Sequence, residues 1–176
     1  MTSIFNFVRV HSRKFGLALV LPMVALLLSA CDQERISELE EGFSTEADVR
    51  AKFGEPEAVW QDAAGNRVFE YNRQPAGTQN YMITIDADGK MAALRQVLNP
   101  QTFAKITPGM LMEEVRKMLG KPMKATFFDL KGVWHYDWRY MDGPNEADKK
   151  IFTVVLDREL RVRSTASVSD PALERR

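Results

Sequence analysis

Three kinds of residue in this chain could do chemistry, and each is short of a partner. Cys31 is the single cysteine, so disulfide or dithiol redox work would need a thiol the chain does not contain. His135 stands between Trp134 and Tyr136, and the other histidine, His11, lies in the basic start of the chain. A general base must reach a nucleophile, and no such pair is visible. No histidine–cysteine set has the spacing of a transition-metal site. Asp86-Ala87-Asp88-Gly89 opens like a calcium loop but lacks the later ligands. It reads better as a hairpin turn. Gly54 and Gly120 each precede a proline by two residues, which is no phosphate cradle, since no fresh helix starts there. The expectation is a protein that is not an enzyme, with no catalytic residue, no metal and no cofactor.

Cys31 has a different use. Before it, Arg9, Arg13 and Lys14 stand without an acid, and an apolar stretch runs from Phe15 to Ala30. A basic start, a short apolar run and small residues at its end describe a secretory signal peptide. The run falls short of the about 20 apolar residues a spanning helix needs. Leu28-Ser29-Ala30-Cys31 resembles the bacterial lipoprotein signal, which implies cleavage before Cys31 and acylation of its sulfur. Two or more acyl chains anchor durably, at about 0.8 kcal/mol per buried methylene. In enteric bacteria aspartate directly after such a cysteine accompanies retention in the inner membrane, and Asp32 holds that place. The expected address is the periplasmic side of the outer membrane, with the inner membrane the alternative that Asp32 raises. Charges balance at 24 of each sign, and the leader removes only bases. The remainder is slightly acidic, which argues against a nucleic-acid partner.

The elements after the leader occur twice. Val49-Arg50-Ala51-Lys52-Phe53-Gly54-Glu55-Pro56 matches Val115-Arg116-Lys117-Met118-Leu119-Gly120-Lys121-Pro122 at an offset of 66. Val68-Phe69-Glu70-Tyr71 matches Val133-Trp134-His135-Tyr136 at an offset of 65, and Ile83–Asp86 loosely matches Val154–Asp157. Ordered matches of this kind mark a duplicated unit. In the first unit Thr45 and Asp48 form a capping-box start. Val49 and Phe53 share a helix face, Gly54 caps the helix end, and Pro56 forbids its continuation. A short helix is expected ahead of each, around Ile36 and Leu39, and around Phe103 and Ile106. Three strands follow each helix pair: 67–71, 81–86 and 91–98, then 132–138, 150–157 and 160–168. Helices grouped before strands predict an α+β fold. The expected architecture is two tandem ααβββ repeats, each an antiparallel sheet with helices packed on one face. The expected organisation is a signal peptide at 1–30, units at 31–100 and 101–170, and a tail at 171–176.

Protein binding is the activity these residues leave open. Trp134, Tyr136, Trp138 and Tyr140 alternate along one strand and share a face. They fit either a core beneath the helices or an aromatic binding surface. Trp138 and Tyr140, nearer a long loop, are candidates for the latter. That loop, 140–149, holds Gly143 and Pro144, and its counterpart, 72–80, holds Pro75 and Gly77. Loops on a rigid sheet commonly carry binding residues, so these four join the candidate partner-binding set.

The stretch Ile106-Thr107-Pro108-Gly109-Met110, followed by Glu114-Val115-Arg116 and Leu119-Gly120-Lys121-Pro122, resembles the opening of the SmpA/OmlA family. That is the family of the outer-membrane assembly factor BamE. The first unit keeps Glu46, Val49, Phe53, Gly54 and Pro56 but has no Thr-Pro-Gly-Met lead-in. The resemblance implies an ααβββ module on the periplasmic face of the outer membrane that supports the β-barrel assembly machine. The expected function is a lipid-anchored periplasmic scaffold or adaptor for envelope proteins, held to the membrane through Cys31. Tandem units of this topology also resemble the β-lactamase-inhibitory proteins. That likeness implies the alternative, an inhibitor-like or signalling protein that binds a periplasmic enzyme on a concave sheet.

Overall fold

The computed structural model describes residues 36–173. Cys31 and the leader therefore lie outside the described residues. The chain divides into two units, 1–39 and 40–176. Of the first unit, residues 36–39 form one turn, in which Leu39 N–H donates to the Ile36 carbonyl at 3.1 Å. Everything below concerns the second unit.

Helix α1, Glu46–Phe53, starts as its sequence dictates. Asp48 N–H donates to Thr45 Oγ1 at 3.3 Å, and Thr45 N–H donates back to Asp48 Oδ2 at 2.8 Å. Both orphan donors of the first turn are thereby satisfied. The helix ends at Gly54, φ +82°. Four antiparallel strands follow in the spatial order of the chain: β1 (Ala58–Gln61), β2 (Arg67–Asn72), β3 (Asn80–Ile85) and β4 (Met91–Gln96). Then come α2 (Pro100–Phe103) and α3 (Met112–Leu119), and a second sheet in the same order. Its strands are β5 (Lys124–Phe128), β6 (Val133–Met141), β7 (Lys149–Leu156) and β8 (Val162–Ser169). The fold is α+β, with four strands in each sheet where the sequence pattern predicted three. The additional strands β1 and β5 sit at sheet edges just after Gly-x-Pro. Four or five half-exposed residues are too few to declare a period of two. These segments become strands because β2 and β6 offer them a ladder.

The duplication extends to single hydrogen bonds. Gly42 N–H donates to Met91 O and Gly109 N–H to Val162 O, each at 2.8 Å. Glu46 N–H donates to Gly89 O and Met112 N–H to Leu160 O, each at 2.9 Å. Strand pairing shows where the sequence alignment slips. Ala58 faces Glu70 as Lys124 faces Asp137, so the second strands correspond at an offset of 67, not 65. Tyr71 is thus the counterpart of Trp138 rather than of Tyr136. Tyr71 Oη donates to Gly54 O at 3.0 Å, and Trp138 Nε1 donates to Gly120 O at 3.1 Å. A two-residue slip preserves the face of every side chain, which is why the sequence match conceals it.

Each helix covers one face of its own sheet. Beneath α1 lie Phe69, Ile83 and Ile85, fully buried with Val49. The Phe53 ring sits 5.0 Å from that of Tyr71 and 5.4 Å from that of Tyr81. Beneath α2 and α3 lie Trp138, Tyr140, Phe152, Val154 and Leu156. Phe103 stacks on Phe152 with centroids 3.9 Å apart. The tandem arrangement adds one thing that neither repeat has alone. Val68, Met82 and Trp60, on the other face of the first sheet, join the same cluster as Val115 and Leu119. The layers therefore run α1, first sheet, α2 with α3, second sheet. Among the described residues the first sheet has helices on both faces, and the second has them on one.

Leu160 adopts φ +58° where the first repeat uses Gly89 at φ +76°. A leucine in this left-handed region costs about 1–2 kcal/mol, and Leu160 is exposed, so the contacts it would lose are of no more than similar size. Leu160→Gly is therefore expected to change stability by less than about 1 kcal/mol in urea unfolding. An equally exposed leucine in ordinary backbone would lose more on the same change.

Candidate interaction surfaces

Trp138 and Tyr140 do not form a surface. Their relative exposures are 0% and 2%, which corrects the expectation that they bind a partner. They stand where α2 and α3 press hardest on β6, while Trp134 and Tyr136, toward the other end of the strand, stay half-buried. The burial gradient runs opposite to the guess from loop proximity. β6 continues through Met141 into the expected loop, and it takes Tyr140 into the core with it.

The loop glycines and prolines divide between two roles. Pro75 and Pro144 are exposed, and Gly77 and Gly143 are half-buried inside tight turns. At Gly77 an added Cβ would lie 2.6 Å from Arg73 Cβ. At Gly143 it would meet the Asp148 carboxylate. These glycines shape turns rather than present a face. The first loop instead ties the repeats together. Gln74 Nε2 donates to Arg139 O at 2.8 Å, and Arg139 N–H donates to Gln74 Oε1 at 3.3 Å. The Gln74 amide thereby imitates a strand residue beside β6, past the start of β5. Arg139 Nη1 donates to Pro75 O at 2.8 Å, and Arg139 Nε to Asp170 Oδ2 at 2.6 Å.

A second joint, absent from the sequence expectations, lies where the Gly120-Lys121-Pro122 turn meets the first sheet. Glu70 and Asn80 are fully buried there. Lys121 N–H donates to Glu70 Oε1 at 2.8 Å and to Asn72 Oδ1 at 2.9 Å. Asn80 Nδ2 donates to Leu119 O at 2.8 Å, satisfying a carbonyl at the end of α3. Lys121 Nζ reaches Glu57 Oε1 at 2.7 Å. The legible signal was a glutamate inside the apolar run Val68-Phe69-Glu70-Tyr71. A charge in a buried strand requires partners, and here Asn72 of the same strand is joined by Arg116 and the Lys121 N–H of the other repeat.

The uncovered face of the second sheet holds a groove of about 620 Å³, lined by His135, Asp137, Ile151, Thr153, Val168 and Asp170 among others. Thr153 Oγ1 donates to Asp137 Oδ1 at 2.7 Å, and His135 lies against the Phe128 ring, 4.5 Å between centroids. Among the described residues no group of three or more His, Cys, Asp or Glu is placed to hold a metal ion. Burial works to raise the Asp170 carboxyl, but the Ala172 N–H and Arg139 outweigh it and hold it below the ordinary carboxylate range. Burial likewise works to raise Glu57, and Lys121 and Asn72 hold it low. A carboxyl depressed in the folded state stabilises above its unfolded pKa, about 4, and that contribution fades as pH falls through the lower folded value. Stability should therefore fall as pH drops below about 4. Asp170→Asn should flatten part of that drop in acid titrations followed by circular dichroism.

No curated protein matches this chain. A solved structure of a DUF4309 family protein (YjgB) from Bacillus subtilis subsp. subtilis str. 168 is 19% identical, covering 75% of this chain and 82% of that one, with a TM-score of 0.29. The model of one family does match, and it falls on the second repeat. Residues 96–166, from the end of β4 through α2 and α3 into β8, match the outer membrane protein assembly factor BamE domain.

Proposed function

We propose that this protein is a lipid-anchored periplasmic scaffold that supports assembly and insertion of outer-membrane β-barrel proteins. The observation that carries the reading is the BamE-domain match over residues 96–166. The Leu28-Ser29-Ala30-Cys31 junction supports attachment through lipid on Cys31, with the β-barrel assembly machine as partner. The working parts of such a protein are its fold and surfaces, and no catalytic step is invoked. The division of the chain into two units, at 31–100 and 101–170, belongs to the same proposal. The inhibitor-like alternative is less well served by the geometry. It resembles proteins that bind on one continuous concave sheet, whereas here α3 separates two four-stranded sheets.

The test is removal of the protein from its bacterium. Outer-membrane β-barrel proteins should fall in abundance, and the detergent-solubilised protein should co-purify with assembly factors. Normal barrel levels, with the protein recovered on its own, would sink the reading. Cys31→Ala should abolish the lipid mass on the mature chain and release it from the membrane fraction. Fractionation of the unaltered protein decides between the outer membrane and the inner membrane that Asp32 suggests.

A further inference from the structure

The two sheets treat their last strands differently. In an antiparallel ladder every second residue of an edge strand points its N–H and C=O away from the sheet. On β4 three of these outward groups, at Leu94 and Gln96, are closed by side chains. Leu94 N–H donates to Glu41 Oε1 at 2.8 Å, Leu94 O accepts from Arg95 Nη1 at 2.8 Å, and Gln96 O accepts from Asn99 Nδ2 at 2.8 Å. On β8 the phase follows from Asp170, whose N–H turns inward to Lys149 O at 3.0 Å. With Lys150 opposite Ser169 and Val154 opposite Thr165, the outward residues are Thr165, Ser167 and Ser169. Among the described residues no side chain closes their backbone groups. The position corresponding to Glu41, counted from Gly42 and Gly109, is Pro108, which has no polar side chain to offer.

β8 is also unguarded in composition. Its seven residues after Val162 are exposed. From Ser164 to Ser169 it reads Ser-Thr-Ala-Ser-Val-Ser, with no charge and no proline. Edge strands are usually blunted by lysine, proline or a covering segment, as Glu41 blunts β4. An open edge of this kind is a template for strand addition, in which main-chain hydrogen bonds supply the affinity.

We propose that β8 is a docking edge for an extended segment of an outer-membrane β-barrel polypeptide, which adds to the second sheet as a fifth strand. The identity of the occupant rests on the assembly role proposed above. A barrel strand has unpaired backbone groups on both sides until its neighbours arrive, and the outward groups of β8 offer it one complete set. Such pairing reads backbone rather than side chains, which suits a protein that must accept many different strands.

Proline distinguishes this edge from a side-chain contact. At Thr165 it removes an outward N–H and leaves the β7 ladder intact, a placement that edge strands tolerate. The full chain in detergent is mixed with a urea-unfolded outer-membrane β-barrel polypeptide diluted from denaturant. The amide protons of Thr165, Ser167 and Ser169 should exchange more slowly once it is bound. Thr165→Pro should weaken binding at least tenfold, and Thr165→Ala should stay within twofold. Circular dichroism and thermal unfolding establish that Thr165→Pro is folded, and Ser169→Pro, at the strand end, replaces it if it is not. Unchanged binding by the proline variant overturns the proposal. So does protection confined to the His135–Asp137 face, or protection that rises with protein concentration in the absence of the barrel polypeptide, which would mean a second copy. In cells, full complementation by Thr165→Pro of a deletion that lowers barrel levels defeats the edge and leaves the assembly role standing. A deletion without effect defeats the assembly role, whatever the edge binds.

Discussion

Gly120→Ala is expected to destabilise the protein by about 4 kcal/mol, of which about 1–3 is backbone strain and the remainder a broken joint between repeats. Gly120 sits at φ +75°, ψ −169°, a region that residues with a Cβ scarcely enter. A Cβ there would lie 2.5 Å from Asn72 Oδ1 and 3.0 Å from Asn80 Nδ2. Asn72 Oδ1 accepts the Lys121 N–H, and Asn80 Nδ2 holds the Leu119 carbonyl. Retreat of the buried Asn80 amide would strip its bond from the Leu119 carbonyl, whereas the Lys121 N–H keeps Glu70 Oε1 if Asn72 moves. Gly54 provides the control. It has nearly the same backbone, φ +82° and ψ −160°, with nothing within 4 Å of an added Cβ. Gly54→Ala should therefore cost only the strain, about 2 kcal/mol. Urea unfolding of the two variants measures the difference, and equal losses would show that the joint contributes nothing.

Trp138→Ala should cost about 3–5 kcal/mol, the usual range for deleting a large buried aromatic. The thermal midpoint should fall on the order of 10 °C. Trp138 lies between the sheet and α3 and donates to Gly120 O at 3.1 Å. Trp138→Phe keeps most of the packing but orphans that carbonyl, at about 1–2 kcal/mol. Had Trp138 been a partner-binding residue, alanine would weaken capture of the partner and leave unfolding unchanged. Because Trp138 and Gly120 share a hydrogen bond, the double variant should lose less than the sum of the two losses.

Both predictions concern a part of the molecule that local pattern only half reveals. The Gly-x-Pro stop, the Thr45–Asp48 cap and the Asp86–Gly89 turn were legible because each is decided within a few residues of chain. The repeat was legible because each of its copies makes the same local decisions. The edge strands β1 and β5 were not, since a short half-exposed segment becomes a strand only when another strand pairs with it. Trp138 and Tyr140 were ambiguous for a related reason. Alternation places them on a face, but the packing of α2 and α3 determines which end of that face is buried.

Glu70 marks the boundary between the two kinds of knowledge. Its position inside an apolar strand announced that something must meet a buried carboxylate; Asn72 is a partner from the same strand, but Arg116 and Lys121 come from far along the chain. The α+β class and the recurrence of the helix, Gly-x-Pro and strand pattern could be read from spacing and residue type. Tertiary structure alone decided that α3 lies between two sheets and that the aromatic strand is core. It also decided that, among the described residues, one sheet keeps an open face and an open edge. Those outcomes depend on which surface each repeat offers to the other, and no run of neighbouring residues encodes that.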